Sequence, residues 1–161
     1  KDALEKLKQI RALDDKHQFT LLCRDLSEIA NYASVDNVQF KQLKAHTPAP
    51  ITFILNATKD VPKKLAHPKK KTIGIRVPSN PIAQALLEAM DEPILTSSLI
   101  LPNRDDILDD PFEIEDLLGH QIDGLINAGI KTTKLTTIID MTSGQPEIIR
   151  QGAADVSSLL L

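Results

Sequence analysis

The sequence has one cysteine, no tryptophan and only 3% aromatic residues among its 161 positions. A lone cysteine excludes a disulfide within the chain, which suits a reducing cytoplasm, the location that we expect. Cys23 lies in the apolar segment FTLLC, where a small buried side chain is a better interpretation than a nucleophile. The shortage of aromatic side chains argues against a protein that stacks the bases of single-stranded nucleic acid.

Other absences narrow the class of protein further. No window approaches the run of about 18 apolar residues that a membrane span needs, so no membrane partner is expected. The four histidines, His17, His46, His67 and His120, lack the spacing of metal ligands, so we predict neither a metal site nor a bound prosthetic group. The chain also has no GxxxxGKS/T phosphate loop and no catalytic triad, so the residues alone identify no catalytic group.

The residues that are present fit a globular protein. Apolar residues make up 42% of the chain and charged residues 25%, and the length suits a single domain over residues 1–161. β-branched segments alternate with capped amphipathic segments, which predicts an α/β or mixed α+β sheet domain. The predicted strands are FTLLC, ITFILNA, KTIGIRV, PILTSSLIL, IDGLINAG, TTIIDM and QPEIIRQG. The predicted helices are KDALEKLKQIRAL, LSEIANYA after Asp25, NVQFKQLKAH after Asp36, IAQALLEAM after Ser79 or Asn80, and PFEIEDLLGHQ.

The segment KTIGIRV carries an arginine where a buried strand should be apolar. Because side chains alternate along a strand, Ile73, Ile75 and Val77 share one face. The other face carries Thr72, Gly74 and Arg76. We interpret Gly74 as an opening to the backbone for a ligand, and Arg76 as a donor for a carboxylate or phosphate. The alternative is that Arg76 lies at the solvent end of the strand or pairs with an acid.

Further polar residues lie at predicted strand ends. They are Thr96, Ser97 and Ser98 after PIL, Thr136 and Thr137 at the start of TTIID, and Arg150 at the end of IIR. Ligands of open sheets gather outside strand ends, so these groups predict a phosphate and carboxylate site. Each residue alone is a weak signal, because serine and threonine at strand ends are usually only turn caps.

The segment from residue 59 to residue 71 is strongly basic. It contains one acid, Asp60, and six lysines: Lys59, Lys63, Lys64, Lys69, Lys70 and Lys71. A cluster of this kind is typical of a surface for phosphate-rich partners, and a solvated loop without a partner is the alternative.

The order of these segments resembles the YrdC/YciO family, and within it the YciO branch. The resemblance rests on FTLLCRDLSEIANYASVDN, TPAPITFILNATKDVP, KKKTIGIRVPSNPIAQALLEAM, EPILTSSLILP and KLTTIIDMTSGQPEIIRQGAADV, which cover nearly all of the chain. It implies a twisted open mixed sheet with flanking helices and a concave, positively charged cleft, the YrdC/RibB-like fold.

The resemblance also implies an activity. YrdC-like proteins join L-threonine, bicarbonate and ATP, the last with Mg²⁺ as a substrate, to give threonylcarbamoyl-adenylate and pyrophosphate, the first step toward threonylcarbamoyladenosine in tRNA. By this resemblance the threonine ligands are Arg76, Thr96 and Thr136. The nucleotide ligands are Arg11, Thr72, Ser98 and Arg150.

Two motifs of the synthases are altered here. The KxR motif becomes Gln9-Ile10-Arg11, and the SxN motif becomes Ser98-Leu99-Ile100. The site therefore loses one compact cation and one amide, which predicts weak or altered synthase activity. The resemblance also places the first strand of the family and its YPTDT-like, threonine-contacting turn upstream of Lys1.

Two functional hypotheses follow from the sequence. The first is an enzyme of the threonylcarbamoyl-adenylate type. The second is a module that binds double-stranded RNA or tRNA through the cleft and the six lysines without efficient catalysis, since YrdC-like proteins are also described as binding double-stranded RNA. The residues do not indicate an oligomeric state.

Overall fold

The computed structural model describes residues 2–131 and 133–160, and it divides the chain into two compact units. Unit 1 comprises Lys1–Asp15 and Ser98–Leu135, and unit 2 comprises Lys16–Ser97 and Thr136–Leu161. The assignment of residues 1–161 to a single domain stays a prediction. Among the described residues, no helix is long and apolar enough to cross a membrane.

Helices and strands interleave along the chain. The helices are α1 Asp2–Arg11, α2 Leu26–Tyr32, α3 Asn37–Ala45, α4 Pro81–Met90 and α5 Pro111–Leu118, with a final 3₁₀ turn at Ser157–Leu160. The strands are β1 Thr20–Leu22, β2 Ala33–Ser34, β3 Ile51–Ala57, β4 Thr72–Arg76, β5 Ile94–Thr96, β6 Thr137–Asp140 and β7 Glu147–Arg150.

Within the described residues, the seven strands form one mixed sheet that lies wholly in unit 2. The strand order is β5-β1-β4-β3-β6-β7, and β2 adds to the end of β3. The pairs β1/β4 and β3/β6 are parallel, whereas β1/β5, β3/β4, β6/β7 and β2/β3 are antiparallel. The open mixed sheet with flanking helices confirms the fold class expected from the sequence.

The helix starts follow from capping chemistry, as the sequence predicted. The side chain of Asp25 accepts a hydrogen bond from the backbone N–H of Glu28 at the start of α2. Asp36 forms a reciprocal capping box with Gln39 at the start of α3. Asn80 accepts from two backbone N–H groups of α4, whose first residue is Pro81. Each cap satisfies backbone donors that the first helical turn leaves without partners.

One face of the sheet is the apolar core. The central strands contribute Phe53, Leu55, Ile73, Ile75 and Ile139, none of them exposed to solvent. Cys23, just beyond β1, is equally buried, which confirms its interpretation as a small core residue. The helices of unit 2 add one fully buried side chain each, namely Ile29, Leu43 and Leu87.

Two predicted strands differ in the structure. IDGLINAG is not a buried strand. Residues 122–130 form no strand hydrogen bonds with another segment, and Ile126 and Ile130 are more than half exposed. A short apolar run forms a strand only where a partner completes its hydrogen bonds, and this segment has no such partner among the described residues. The strand predicted over PILTSSLIL ends early, because β5 covers only Ile94–Thr96.

Gly74 has a role different from the one that the sequence suggested. A Cβ atom built at this position would lie 2.7 Å from Thr20 Oγ1, 2.9 Å from the carbonyl oxygen of Phe19 and 3.2 Å from Thr52 Cγ2. Protein atoms of the neighbouring strands therefore fill the space beside the glycine. The interpretation of Gly74 as an opening for a ligand was wrong, and the residue is instead required for close packing of β1, β3 and β4.

We predict that Gly74→Ala lowers the free energy of unfolding by about 1–3 kcal/mol, because the backbone of Phe19 cannot move away from the added methyl group. Gly124→Ala is the matched control, since a Cβ there meets nothing within 4 Å, and it should change stability by less than about 0.5 kcal/mol. Urea denaturation of both variants measures the difference. Equal stabilities for the two variants would contradict the packing role of Gly74.

Candidate functional site

The face of the sheet opposite the core is rich in hydroxyl and guanidinium groups. Paired residues of adjacent strands point to the same side, and the register pairs Thr20 with both Gly74 and Thr96, and Ile138 with Arg150. Because side chains alternate along each strand, this register also shows which of the other residues lie on the same face. We call this surface the polar face; it comprises Thr20, Thr52, Thr72, Gly74, Arg76, Thr96, Thr136 and Arg150. The structure thus places five of the seven predicted ligand residues on one face of unit 2.

Arg76 is the most unusual residue of the polar face. Its Nε atom is buried and has no hydrogen-bond partner among the described residues. None of the carboxylates in the described part of the chain forms an ion pair with it, so its interpretation as an ion-paired arginine has no support in these contacts. Burial lowers the pKa of the guanidinium, but arginine titrates so high that the group stays a cation at neutral pH. A buried cationic donor without a partner is the feature expected of an anion ligand.

Hydrogen bonds join Thr52, Thr136 and Arg150 across three strands. Extending the β3/β4 register by one residue places Thr52 opposite Arg76. The hydroxyl oxygen of Thr52 lies 3.0 Å from that of Thr136. Arg150 donates from Nε and Nη2 to the carbonyl oxygen of Thr136, at 3.0 and 2.8 Å, and from Nη2 to the Thr136 hydroxyl at 3.2 Å. Two guanidinium groups therefore flank a pair of threonine hydroxyls.

The predicted nucleotide ligand Thr72 has its hydroxyl proton engaged within the protein. Thr72 Oγ1 donates to Gln18 Oε1 at 2.8 Å, and Gln18 Nε2 donates back to the carbonyl oxygen of Thr72 at 3.3 Å. Thr72 is only 3% exposed. Any contact from this hydroxyl to a ligand would have to use one of its two lone pairs, as an acceptor.

Thr96 and Ser97 lie at the outer edge of the sheet in unit 2. The Thr96 hydroxyl donates to the carbonyl oxygen of Thr20 at 3.2 Å. The Ser97 hydroxyl lies 3.4 Å from His17 Nε2. Both residues are half-buried, so their hydroxyl oxygens can still accept a hydrogen bond from a ligand.

The two remaining predicted ligands, Arg11 and Ser98, belong to unit 1. Arg11 Nε donates to the carbonyl oxygen of Ile100 at 3.1 Å, and burial lowers the pKa of the Arg11 guanidinium. Ser98 is exposed. Arg11 therefore contacts the backbone of Ile100, so the segments Gln9–Arg11 and Ser98–Ile100 meet within unit 1.

The six lysines of the basic segment are all exposed. In the described part of the chain, none of them pairs with a carboxylate; the ammonium group of Lys71 instead donates to the carbonyl oxygen of Pro68. His67 organises the end of the segment, because its Nδ1 accepts from the backbone N–H groups of Lys69 and Lys70 at 3.3 and 3.2 Å. The positive charge of the segment is thus available to an external anion.

Sequence reasoning missed two residues of the polar face and its surroundings. Thr52 belongs to the predicted strand ITFILNA, and alternation puts it on the face opposite Phe53. Gln18 lies between the predicted helix KDALEKLKQIRAL and the predicted strand FTLLC, and no pattern in the sequence shows that its amide reaches Thr72. Thr52 could have been found from alternation, whereas Gln18 could not.

The only thiol of the chain, that of Cys23, is poorly suited to act as a nucleophile. Burial, with the nearby carboxylates of Glu28 and Asp25, raises the pKa of the Cys23 thiol to about 12, so the thiolate needed for attack is scarce at neutral pH. In residues 2–131 and 133–160, no three His, Cys, Asp or Glu side chains come together as metal ligands would. The guanidinium and hydroxyl groups of the polar face can bind and orient anions.

Comparison with known structures defines the class of fold. The fold matches that of P. abyssi Sua5 complexed with L-threonine, with a TM-score of 0.84 at 19% identity over 94% of this chain and 45% of that one. It matches the crystal structure of E. coli YciO with a TM-score of 0.94, at 52% identity over 99% of this chain and 78% of that one. The protein therefore has the Sua5/YrdC type of mixed α/β fold.

The sequence comparisons identify the family. Residues 1–152 match the model of the Sua5/YciO/YrdC family, which carries the description telomere recombination. The chain belongs to this family. It is 52% identical over 160 residues to "Uncharacterized protein YciO" of Escherichia coli (strain K12), covering 99% of this chain and 78% of that protein. It is 28% identical to the "Putative threonylcarbamoyl-AMP synthase" of Methanocaldococcus jannaschii, over 98% of this chain and 73% of that protein.

The buried Cys23 thiol predicts a pH dependence of stability. Its pKa in the folded protein, about 12, lies above the value of about 8.5 for an unfolded thiol. The thiol therefore contributes fully to stability below pH 8.5, and this contribution is lost as the pH rises toward 12. Between pH 8 and pH 10 the wild type should lose about 2 kcal/mol more than Cys23→Ala in urea denaturation. Identical pH dependence in the two proteins would show that Cys23 titrates normally.

Proposed function

We propose that this protein is a threonylcarbamoyl-AMP synthase-like enzyme that binds L-threonine on the polar face, with Arg76 as the ligand of its carboxylate. The observation that carries the proposal is the buried Nε of Arg76, which lacks a partner among the described residues. The P. abyssi Sua5 structure, which has the same fold, is complexed with L-threonine. A carboxylate would supply the acceptor that Arg76 lacks.

The surroundings of Arg76 suit an amino acid with a hydroxyl group. Thr52 lies opposite Arg76, and Thr136 is hydrogen-bonded to Thr52, so hydroxyl groups adjoin the proposed carboxylate position. Thr96, on the β5 side of the sheet, is the further proposed threonine contact. This arrangement offers a cation for one end of the ligand and neutral hydrogen-bonding groups for the rest of it.

The proposed reaction needs orientation and charge neutralisation rather than a protein nucleophile. The amine of L-threonine combines with bicarbonate to give a carbamate and water. A carbamate oxygen then attacks the α-phosphorus of MgATP, and the bond to the β-phosphate breaks with release of pyrophosphate. Proximity of the three substrates and cationic groups near the phosphates are the contributions expected of the protein. By resemblance, the proposed nucleotide contacts remain Thr72 and Arg150 in unit 2, and Arg11 and Ser98 in unit 1.

The altered motifs predict a slow reaction. Gln9 and Ile100 stand where the synthases have lysine and asparagine, and Arg11 is engaged with the carbonyl oxygen of Ile100. Each lost charge-stabilising group would lower the rate by about 10²-fold. We therefore propose weak or altered synthase activity, with L-threonine binding kept.

The test is pyrophosphate release by the full-length protein from MgATP. We expect release that requires both L-threonine and bicarbonate, and a rise of about 10- to 100-fold in the KM for L-threonine in Arg76→Gln, because a charge-assisted hydrogen bond is lost. Arg104→Gln is the matched control; Arg104 forms surface ion pairs with Asp106 and Glu113 and should leave the KM unchanged. Release that is independent of L-threonine, or absent, would remove the proposal.

A second function, binding of double-stranded RNA or tRNA, is favoured by one observation. The six lysines of residues 59–71 are exposed, and none has a carboxylate partner in the described part of the chain. Lysines that contact phosphates release counterions, so binding through them weakens steeply with salt. Recognition would use the backbone and shape of a duplex, since few aromatic side chains are present for stacking.

The triple variant Lys69→Gln, Lys70→Gln and Lys71→Gln tests this second function. We expect it to bind a tRNA more weakly and to reduce the slope of log K against log salt by about 2 to 3, one unit for each lost phosphate contact. The control replaces three other exposed lysines, Lys41, Lys44 and Lys134, by glutamine. Fluorescence anisotropy at several salt concentrations gives the slopes, and equal slopes for both triple variants would eliminate the basic segment as the RNA surface.

A further inference from the structure

The turn that joins the basic segment to β4 is held by one histidine. We call residues 67–71, with the sequence HPKKK, the lysine turn. The backbone N–H of His67 donates to the carbonyl oxygen of Thr72 at 2.8 Å, and the carbonyl oxygen of His67 accepts from the backbone N–H of Lys71 at 2.9 Å. The ring nitrogen Nδ1 accepts from the backbone N–H groups of Lys69 and Lys70 at 3.3 and 3.2 Å. His67 therefore closes the turn through both its backbone and its side chain.

The contacts of the ring show which form of the histidine holds the turn. A backbone N–H can only donate, so Nδ1 of His67 is an acceptor, and the neutral ring carries its proton on Nε2. The arrangement resembles an Asx turn, in which the side-chain oxygen of an asparagine or aspartate accepts from the backbone N–H two residues later. The backbone donors of Lys69 and Lys70 are thus already used, and the turn offers their ammonium groups to a partner.

The three lysines of the turn are kept close together and open to solvent. Lys69, Lys70 and Lys71 are exposed, and in the described part of the chain none of them pairs with a carboxylate. Lys71 has the left-handed backbone angle φ of 55°, and its ammonium group donates to the carbonyl oxygen of Pro68 at 2.7 Å. That contact leaves two of the three ammonium protons of Lys71 for an external acceptor. A phosphate-rich partner would therefore meet three cations on a turn that is already ordered.

We propose that His67 is a positioning residue for RNA binding, whose Nδ1 acceptor holds the lysine turn in the form in which its three lysines contact the phosphates of a duplex. This inference rests on the second proposed function, the binding of double-stranded RNA or tRNA. It adds to that function a residue that is neutral in this turn and acts through the lysines. Without the acceptor, the turn would have to be ordered when RNA binds, and the lost conformational entropy would weaken binding.

The variants His67→Asn and His67→Gln test the acceptor. Oδ1 of asparagine is bonded to Cγ, as Nδ1 of histidine is, and can accept from the same N–H groups, whereas Oε1 of glutamine is one bond farther from the backbone. We expect His67→Gln to bind a tRNA about 3- to 10-fold more weakly than the wild type, and His67→Asn to bind it within about twofold of the wild type. The control is His120→Gln, at an exposed histidine outside the basic segment, which should leave the affinity unchanged.

The salt dependence shows whether His67 acts through the lysines. Fluorescence anisotropy with the full-length protein gives the affinity at several salt concentrations. Because His67→Gln keeps every lysine, its slope of log K against log salt should stay within about 0.5 of the wild-type slope. When His67→Gln is added to the triple lysine variant described above, it should cause no further loss of affinity, because the lysines that it positions are absent.

Hydrogen exchange of the backbone amides of Lys69 and Lys70 reports the turn itself. Exchange measured by NMR should be faster in His67→Gln than in the wild type, and close to the wild-type rate in His67→Asn, because only asparagine restores the acceptor. Thermal unfolding followed by circular dichroism checks that each variant is folded. If His67→Gln does not fold, His67→Leu, which also lacks the acceptor, takes its place.

Several results would overturn the inference and leave the second proposed function standing. One is equal tRNA affinity of the wild type and His67→Gln, and another is an affinity of His67→Asn as low as that of His67→Gln. A slope reduced by about one unit or more in His67→Gln would mean that a phosphate contact is lost rather than made more costly. A further loss in the triple lysine variant would show that His67 acts independently of the lysines. If the wild type bound no tRNA at any salt concentration, the second proposed function would fail, and this inference would fail with it.

Discussion

The register of β3 is the constraint on which the site depends. This strand pairs with β4 on one edge and with β6 on the other, antiparallel and parallel respectively. Both pairings are fixed by the burial of Phe53 and Leu55 on the core face, since a slip of one residue would expose them. The same register brings Arg76 of β4 opposite Thr52. It also brings Thr136, the residue that precedes β6, within hydrogen-bond distance of Thr52. The core face and the polar face are thus set by one alignment.

The burial of Arg76 has an energetic consequence. A guanidinium donor removed from water without an acceptor is destabilising, and the sheet keeps it although the described residues give its Nε no partner. Arg150, by contrast, donates from Nε and Nη2 to the carbonyl oxygen of Thr136. The two arginines of the polar face therefore differ in the partners that the described residues give to their Nε atoms.

Much of the fold could be predicted from the sequence, because it depends on local chemistry. Asp25, Asp36 and Asn80 cap helices, and alternation along KTIGIRV separates the core face from the face of Arg76. Other features depend on strands that are distant in sequence. Three contacts follow from the register between strands. They are the packing of Gly74 against Phe19 and Thr20, the hydrogen bonds between Gln18 and Thr72, and the hydrogen bonds from Arg150 to Thr136. The segment IDGLINAG has the composition of a strand, and it forms none because no pairing partner lies beside it among the described residues.

The site that we propose for L-threonine depends on the buried Nε of Arg76, which would donate to the ligand's carboxylate. NMR of the arginine Nε–Hε groups measures this contact, with the Arg76 resonance assigned by its loss in Arg76→Lys. We expect titration with L-threonine to shift the Arg76 Nε–Hε resonance saturably, as a new acceptor replaces the missing partner, and L-threoninol, which lacks the carboxylate, to shift it far less. An Arg76 resonance that stays unchanged at high L-threonine concentration would show that the carboxylate does not bind there.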